Sequence, residues 1–101
     1  MSSAETINVR PIIAADHAAI VKLVAELPEW FSERTRNHAI PVDLKHQIGF
    51  VAEEAGAILG FITLFVYEAR LNIGWMAVAK NCHRRGAGGL LLARAEQTGA
   101  S

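Results

Sequence analysis

Residues 72–92 read NIGWMAVAKNCHRRGAGGLLL, and the rest of the chain is organised around them. Ile73 to Val78 predicts an apolar strand, Lys80 to Arg85 a short basic connection, and Gly86-Ala87-Gly88-Gly89 the opening of a leucine-rich helix. That order of parts makes an anion site. The first N–H groups of a helix lack intrahelical acceptors and sit at the positive end of its dipole, so a phosphate can satisfy several donors together. Glycine lets a ligand approach the backbone closely, and Arg84 and Arg85, with Lys80 nearby, add the positive field that a polyanion needs.

Spacing separates the candidate ligands. A Walker A loop needs Lys-Ser or Lys-Thr directly after its last glycine, where this chain has Leu90. A dinucleotide fingerprint needs a glycine or alanine three residues after Gly88, where Leu91 stands, and its first glycine belongs at the strand end. Here a basic linker intervenes, and the fit is poor.

The chain has 101 residues, 51% of them hydrophobic, with ten basic and ten acidic side chains. That length predicts one domain with a modest core. The composition argues against disorder, and the charge balance against a general nucleic-acid-binding surface. Contact with nucleic acid through Lys80, Arg84 and Arg85 would rest on three charges of a neutral chain. A lone cysteine, Cys82, excludes an internal disulfide and suits a reducing compartment, so a cytoplasmic location is expected. The N-terminal stretch has no apolar signal core. The longest apolar run, Ala55 to Tyr67, is too short for the roughly 20 residues of a membrane-spanning helix, and no membrane association is expected.

In chain order, Thr6 to Arg10 alternates as a strand that Pro11 ends. From Asp16 onward, Ile20, Leu23, Val24 and Leu27 share one helix face, and Pro28 stops that helix. Ser32 is placed to cap an irregular helical segment over Glu33 to Gln47, which Pro41 breaks or kinks. Ile48 to Glu53 predicts a strand, Glu54-Ala55-Gly56 a turn, and Ala57 to Tyr67 a strand apolar on both faces, which belongs in the middle of a sheet. Glu68-Ala69-Arg70 turns the chain into the key strand. The last helix is expected from Gly86 to Thr98, with Gly99 as its stop.

Several segments together resemble the GNAT superfamily of acyl-CoA-dependent N-acyltransferases. They are an opening strand ending in Arg10-Pro11, the Gly60-Phe61 strand, Trp75-Met76-Ala77-Val78, and the loop His83-Arg84-Arg85-Gly86-Ala87-Gly88. That loop matches the family's pyrophosphate signature except that His83 stands where Arg or Gln is usual. Leu27-Pro28-Glu29-Trp30-Phe31 looks like a substrate-side loop of some members. The resemblance implies an α/β fold, the N-terminal part of the GNAT fold, with a mixed, mostly antiparallel sheet flanked by helices. It implies one domain over residues 1–101, C-terminally incomplete, because members continue with further strands and a helix.

The resemblance also implies acetyl-CoA, or another acyl-CoA, as cofactor, held by Met76, Val78, His83, Arg84, Arg85, Gly86, Ala87, Gly88 and Gly89. The implied chemistry is transfer of an acetyl group from a thioester to a primary amine of a small molecule or peptide. The amine must lose a proton as it attacks, and the thioester oxygen needs a donor, for which a backbone N–H near Met76 or Ala77 is placed. Many members carry a glutamate base on the key strand, where this chain has Asn72, and a general acid tyrosine beyond residue 101. No catalytic residue is therefore assigned. Glu68, Tyr67 and a water relay are the alternatives as base. Trp30, Phe31 and Asn72 are the candidate substrate pocket. A noncatalytic acyl-CoA-binding or dimerising module is the other reading, with a homodimer completing the sheet along the unpaired edge of the key strand.

Each candidate has a plainer alternative. Trp30 and Phe31 divide evenly between packing and lining an acceptor pocket, while Trp75 is assigned to the core. His83 is read as a loop residue whose backbone matters, and Cys82 as a small filler rather than a thiol activated by its arginine neighbours. His17, His38 and His46 show no metal spacing and are assigned to the surface, so no metal is expected. Glu53-Glu54 is read as a solvated strand end and turn.

Overall fold

A computed structural model describes residues 7–80 and 86–100. Its strands are β1 (Asn8–Pro11), β2 (Ile48–Glu54), β3 (Ala57–Tyr67) and β4 (Arg70–Val78), and its helices are α1 (His17–Ala25), α2 (Ile40–Leu44) and α3 (Ala87–Ala100). The strands form one sheet in the order β1-β2-β3-β4. Each pairing among the described residues is antiparallel.

The interior place of β3 follows from its composition. Leu59 to Leu64 are all buried, and successive side chains of a strand point to opposite faces, so both faces need a cover. Phe61 faces a core of Ile20, Leu23 and Val24 from α1, Ile40 and Leu44 from α2, and Val51. Ile62 and Leu64 face the other core, built with Phe50, Ala52 and the Ala87 and Leu91 of α3. Fully burying a side chain of this size contributes about 1.5–3 kcal/mol. Helices therefore lie on both sides of the sheet.

Pro11 ends β1 as its last residue, paired with Phe50; an edge strand tolerates the missing N–H. Two details depart from the sequence reading. Gly99 does not stop α3, which runs on to Ala100. A Cβ at Gly99 would lie 3.5 Å from Leu71 Cδ2, so this glycine sits in contact with β4 instead of turning the chain. Glu53 is not simply solvated, since its carboxylate takes Arg10 Nε at 3.1 Å.

The helical segment before β2 is irregular, as Pro41 requires. A π-helical turn, Thr35–Ala39, passes directly into α2 with Pro41 in its first turn. Ser32 does cap this segment, its Oγ accepting the Thr35 N–H at 3.1 Å. Between β3 and β4, Glu68 and Ala69 have φ of 53° and 62°. This is a two-residue hairpin with both central residues in the left-handed region, whose twist matches the strands it joins.

Arg10 ties β1 to the start of α1. Its guanidinium donates to both carboxylate oxygens of buried Asp16, at 2.8 and 2.9 Å, and Asp16 also accepts the N–H of Ile13 at 2.8 Å. The Arg10 hydrogen bonds, against the opposing cost of burial, hold the Asp16 carboxyl below its ordinary range, with the Ile13 N–H adding to the effect. A depressed carboxyl contributes stability above its unfolded pKa of about 4, and that contribution is lost as pH falls through the lower folded value. Asp16→Asn should therefore unfold more readily at neutral pH, by roughly 1.5–3 kcal/mol for the lost charged hydrogen bonds. It should lose less stability than the parent on acidification below about pH 4. Urea midpoints of both proteins from pH 7 to pH 2 measure this, and parallel curves would refute it.

Candidate functional site

The end of β4 and the start of α3 meet. Met76 and Val78 pack against the core that buries Ala87 and Leu91. A Cβ on Gly88 would stand 3.5 Å from Met76 Cε and 3.6 Å from Val78 Cγ2, so the helix start rests on the strand end. The first helical hydrogen bond runs from Leu90 N–H to the Gly86 carbonyl at 3.1 Å. The N–H groups of Ala87, Gly88 and Gly89 precede it and have no intrahelical acceptor. Gly86 holds φ of +87°, with open space where its Cβ would be. Its requirement is conformational rather than steric. His83, Arg84, Arg85 and Cys82 lie outside the described residues.

A cavity of about 420 Å³ opens beside this junction. One wall is Met76, Ala77 and Val78 of β4 with Gly88 of α3, and the other is Leu27, Trp30 and Phe31. Trp30 and Phe31 follow the end of α1 in a turn whose N–H groups reach back to the Leu27 carbonyl at 3.0 and 3.3 Å. Arg36 Nε holds the Phe31 carbonyl at 3.2 Å. Trp30 is 69% exposed, so its ring forms the rim. Among the described residues, none of the lining side chains titrates. This is a concave, largely apolar slot of the size that binds small molecules.

Beside the slot, Glu29 meets Lys80 at 3.3 Å and links the loop to the end of β4. A backbone N–H of its own residue, and then Lys80, hold the Glu29 carboxyl below the usual carboxylate range. A larger hollow, about 580 Å³, is bordered by Glu33, Arg34, Asn37 and His38. All four are exposed side chains of a single helical segment. It draws on no strand, and the smaller slot is the better candidate because separate elements converge there.

Asn72, by contrast, lines another cavity, of about 360 Å³, with Leu71, Ile73 and residues of α3. Its side-chain amide donates to the Arg70 carbonyl at 3.0 Å. A bulge lies between the two cavities. Ile62 pairs with Met76 but Leu64 with Ile73, so Thr63 faces both Gly74 and Trp75. Counting back by twos from Val78 would put Met76, Gly74 and Asn72 on one face. The extra residue brings Ile73 and Leu71 onto that face instead. Tyr67 and Glu68 stand at the far hairpin, eight residues before Met76 in the case of Glu68, about 26 Å along an extended chain. They are remote from the slot.

Leu27 lines the slot as the first residue of the Leu27 to Phe31 loop, besides ending the helix face. The side chain of Ala77 is a lining group that sequence reasoning missed, since Ala77 entered only as a backbone donor. Among the described residues, no three His, Cys, Asp or Glu gather as metal ligands, and no helix is long and apolar enough to cross a membrane.

Residues 45–101 match the sequence profile of a family described as Acetyltransferase (GNAT) domain. No curated protein matches the chain by sequence. Among solved structures, a GNAT family acetyltransferase from Brucella melitensis in complex with acetyl-CoA superposes with a TM-score of 0.71 at 19% identity, over 92% of this chain and 70% of that one. An aminoglycoside acetyltransferase from an uncultured soil metagenomic sample, in complex with sisomicin, gives 0.71 at 20% identity over 98% and 73%. The N-acetylglutamate synthase of Neisseria gonorrhoeae, complexed with coenzyme A and N-acetyl-glutamate, gives 0.74 at 20% identity over 93% and 22%. At such identities the likeness is one of fold.

The helix start yields a paired prediction. Gly86→Ala should lower stability by about 1 kcal/mol, because a Cβ disfavours positive φ. Gly89→Ala, within the helix and facing open space, should raise it by about 0.5–1 kcal/mol through helix propensity. Denaturant midpoints of the two variants check this; equal effects would mean that Gly86 does not hold the left-handed conformation.

Proposed function

The chain belongs to the GNAT acetyltransferase family, and from that premise we propose that it binds acetyl-CoA, or another acyl-CoA, and transfers the acetyl group to a primary amine of a small molecule or peptide. The observation that carries this reading is the convergence of strand end, helix start and aromatic loop on one apolar slot. The residues suit the cofactor. The N–H groups of Ala87, Gly88 and Gly89 offer donors to a diphosphate, and the basic residues Arg84 and Arg85, next to them in sequence, offer countercharge. The slot along Met76 to Val78 suits an apolar arm. Neighbours of the same fold carry acetyl-CoA or coenzyme A and the amine-bearing sisomicin. A single cysteine favours a reducing, cytoplasmic setting.

When bound, acetyl-CoA supplies an activated acyl thioester. The backbone N–H of Met76 is the donor proposed to meet the thioester oxygen as it gains charge, because Ala77 stands at the alternate position, whose N–H faces β3. The acceptor enters between Trp30 and Phe31. An apolar lining lowers the pKa of an entering ammonium, because burial disfavours the charged form. Deprotonation of the amine is thus assisted by desolvation and completed by water, since Asn72 accepts no proton and no lining side chain among the described residues titrates.

A second reading is favoured, among the described residues, by the lack of a lining carboxylate and by β4 being a sheet edge. In it the chain is a noncatalytic acyl-CoA-binding module, and a second copy pairs along β4 to complete the sheet.

Calorimetric titration of the protein with acetyl-CoA should give saturable binding. Gly86→Glu, which sets a carboxylate where the diphosphate is to lie, should weaken it at least tenfold, about 1.4 kcal/mol. No binding by the folded parent would overturn the cofactor assignment. If it binds, a panel of amines separates the two readings. Transfer whose rate climbs with pH toward the amine's own pKa supports the enzyme. Binding without transfer to any amine, by a dimer in sedimentation equilibrium, supports the module.

A further inference from the structure

Three contacts converge on Trp75, each from a different element. Its backbone N–H donates to Thr63 Oγ1 at 2.8 Å. Its indole Nε1–H donates to Asp43 Oδ2 at 2.8 Å. Its ring meets that of Phe31 edge to face, with centroids 6.2 Å apart and planes inclined at 62°. The partners come from β3, α2 and the aromatic loop.

Trp75 lies at the bulge, where Thr63 faces two residues of β4. An extra residue disrupts the ladder, and a buried N–H left there without an acceptor would be costly. The hydroxyl of Thr63, itself fully buried, supplies the acceptor. Gly74 leaves room for this arrangement. A Cβ there would run into the Gln47 carboxamide oxygen and stand 2.7 Å from Thr63 Oγ1. Trp75 does not line the slot, yet it touches both sides of it. Met76 to Val78, one wall, follow it directly in the strand, and Phe31, in the other wall, rests against its ring.

We propose that Trp75 is a positioning residue for the slot: Thr63 fixes its backbone, Asp43 fixes its ring, and the spacing between Phe31 and the Met76–Val78 strand end follows from both. For its ligand the inference rests on the proposed function. The competing view is that these are core contacts that stabilise the fold and nothing more.

Four variants separate the views. Thr63→Val and Asp43→Ala each remove an acceptor, whereas Thr63→Ser and Asp43→Asn keep one. Each protein is titrated with acetyl-CoA by calorimetry, its thermal midpoint is measured, and the backbone amide resonances of Phe31 and Met76 are followed. Thr63→Val and Asp43→Ala should weaken binding roughly five- to tenfold, the scale of one net hydrogen bond, with both resonances displaced. Thr63→Ser and Asp43→Asn should restore both. Lower thermal midpoints with unchanged affinity in folded Thr63→Val and Asp43→Ala would show a merely structural role and overturn the inference. If the parent itself binds no acetyl-CoA, the proposed function fails separately. The resonances then decide: displacement at both walls, restored by the conservative variants, supports positioning, and no displacement overturns it. Should Thr63→Val or Asp43→Ala not fold, Trp75→Phe decides by the same readouts, since it keeps a ring for Phe31 but removes the indole donor.

Discussion

Leu59 to Leu64 have to be covered on both faces, and the other elements are placed by that demand. Phe61 requires α1 and α2 on one side, and Ile62 and Leu64 require α3 on the other. Exposing any of these side chains would forfeit about 1.5–3 kcal/mol, a large part of the stability of so small a domain. The slot is a by-product of this arrangement. α1 ends at its mouth because Leu27 is the last residue of the buried stripe, and the aromatic loop follows at once. On the opposite side, α3 starts there because Ala87 and Leu91 are the residues that seal Ile62.

Among the described residues, the two edge strands of the sheet are treated differently. β1 is four residues long and ends in proline, and Arg94 of α3 donates to its Val9 carbonyl at 3.0 Å while lying 5.2 Å over the Phe50 ring. With the Arg10, Asp16 and Glu53 cluster at the same edge, β1 is short, tied down and a poor template for further strands. β4 has nine residues and no charged side chain after Arg70. Edges of that kind are usually blunted by charge or proline. In a chain of balanced charge, then, the ties are spent on one edge, and the other is apolar where the slot is formed.

Much of this was legible from periodicity and turn chemistry. The two-sided apolar run marked β3, the Ile20, Leu23, Val24 stripe marked α1, and Pro41 marked the irregular helix. Trp30, Phe31, Met76, Val78 and Gly88 stand out by residue type and motif in the sequence, and in the structure they line one slot. The misreadings are equally physical. Gly99 looked like a helix stop because a glycine's freedom and its smallness are written with the same letter, and here the smallness counts, against Leu71. Glu53 looked solvated because nothing local reveals that Arg10 pairs with it from across the sheet.

The bulge marks where the sequence ceases to specify the site by itself. Ile73, Trp75 and Ala77 keep a period of two, and Met76 and Val78 are apolar as well, so the glycine at 74 is the one hint of the bulge that is written in the pattern. What holds it is not. Thr63 lies twelve residues from Trp75, and Asp43 lies thirty-two away. Neither distance has a periodicity that a strand or helix would impose. Local rules set which backbone atoms face a ligand, through glycines and alternation. The width of the slot is set by side chains that are far apart in the chain, and it becomes readable only with α2 and the aromatic loop both in place against β4.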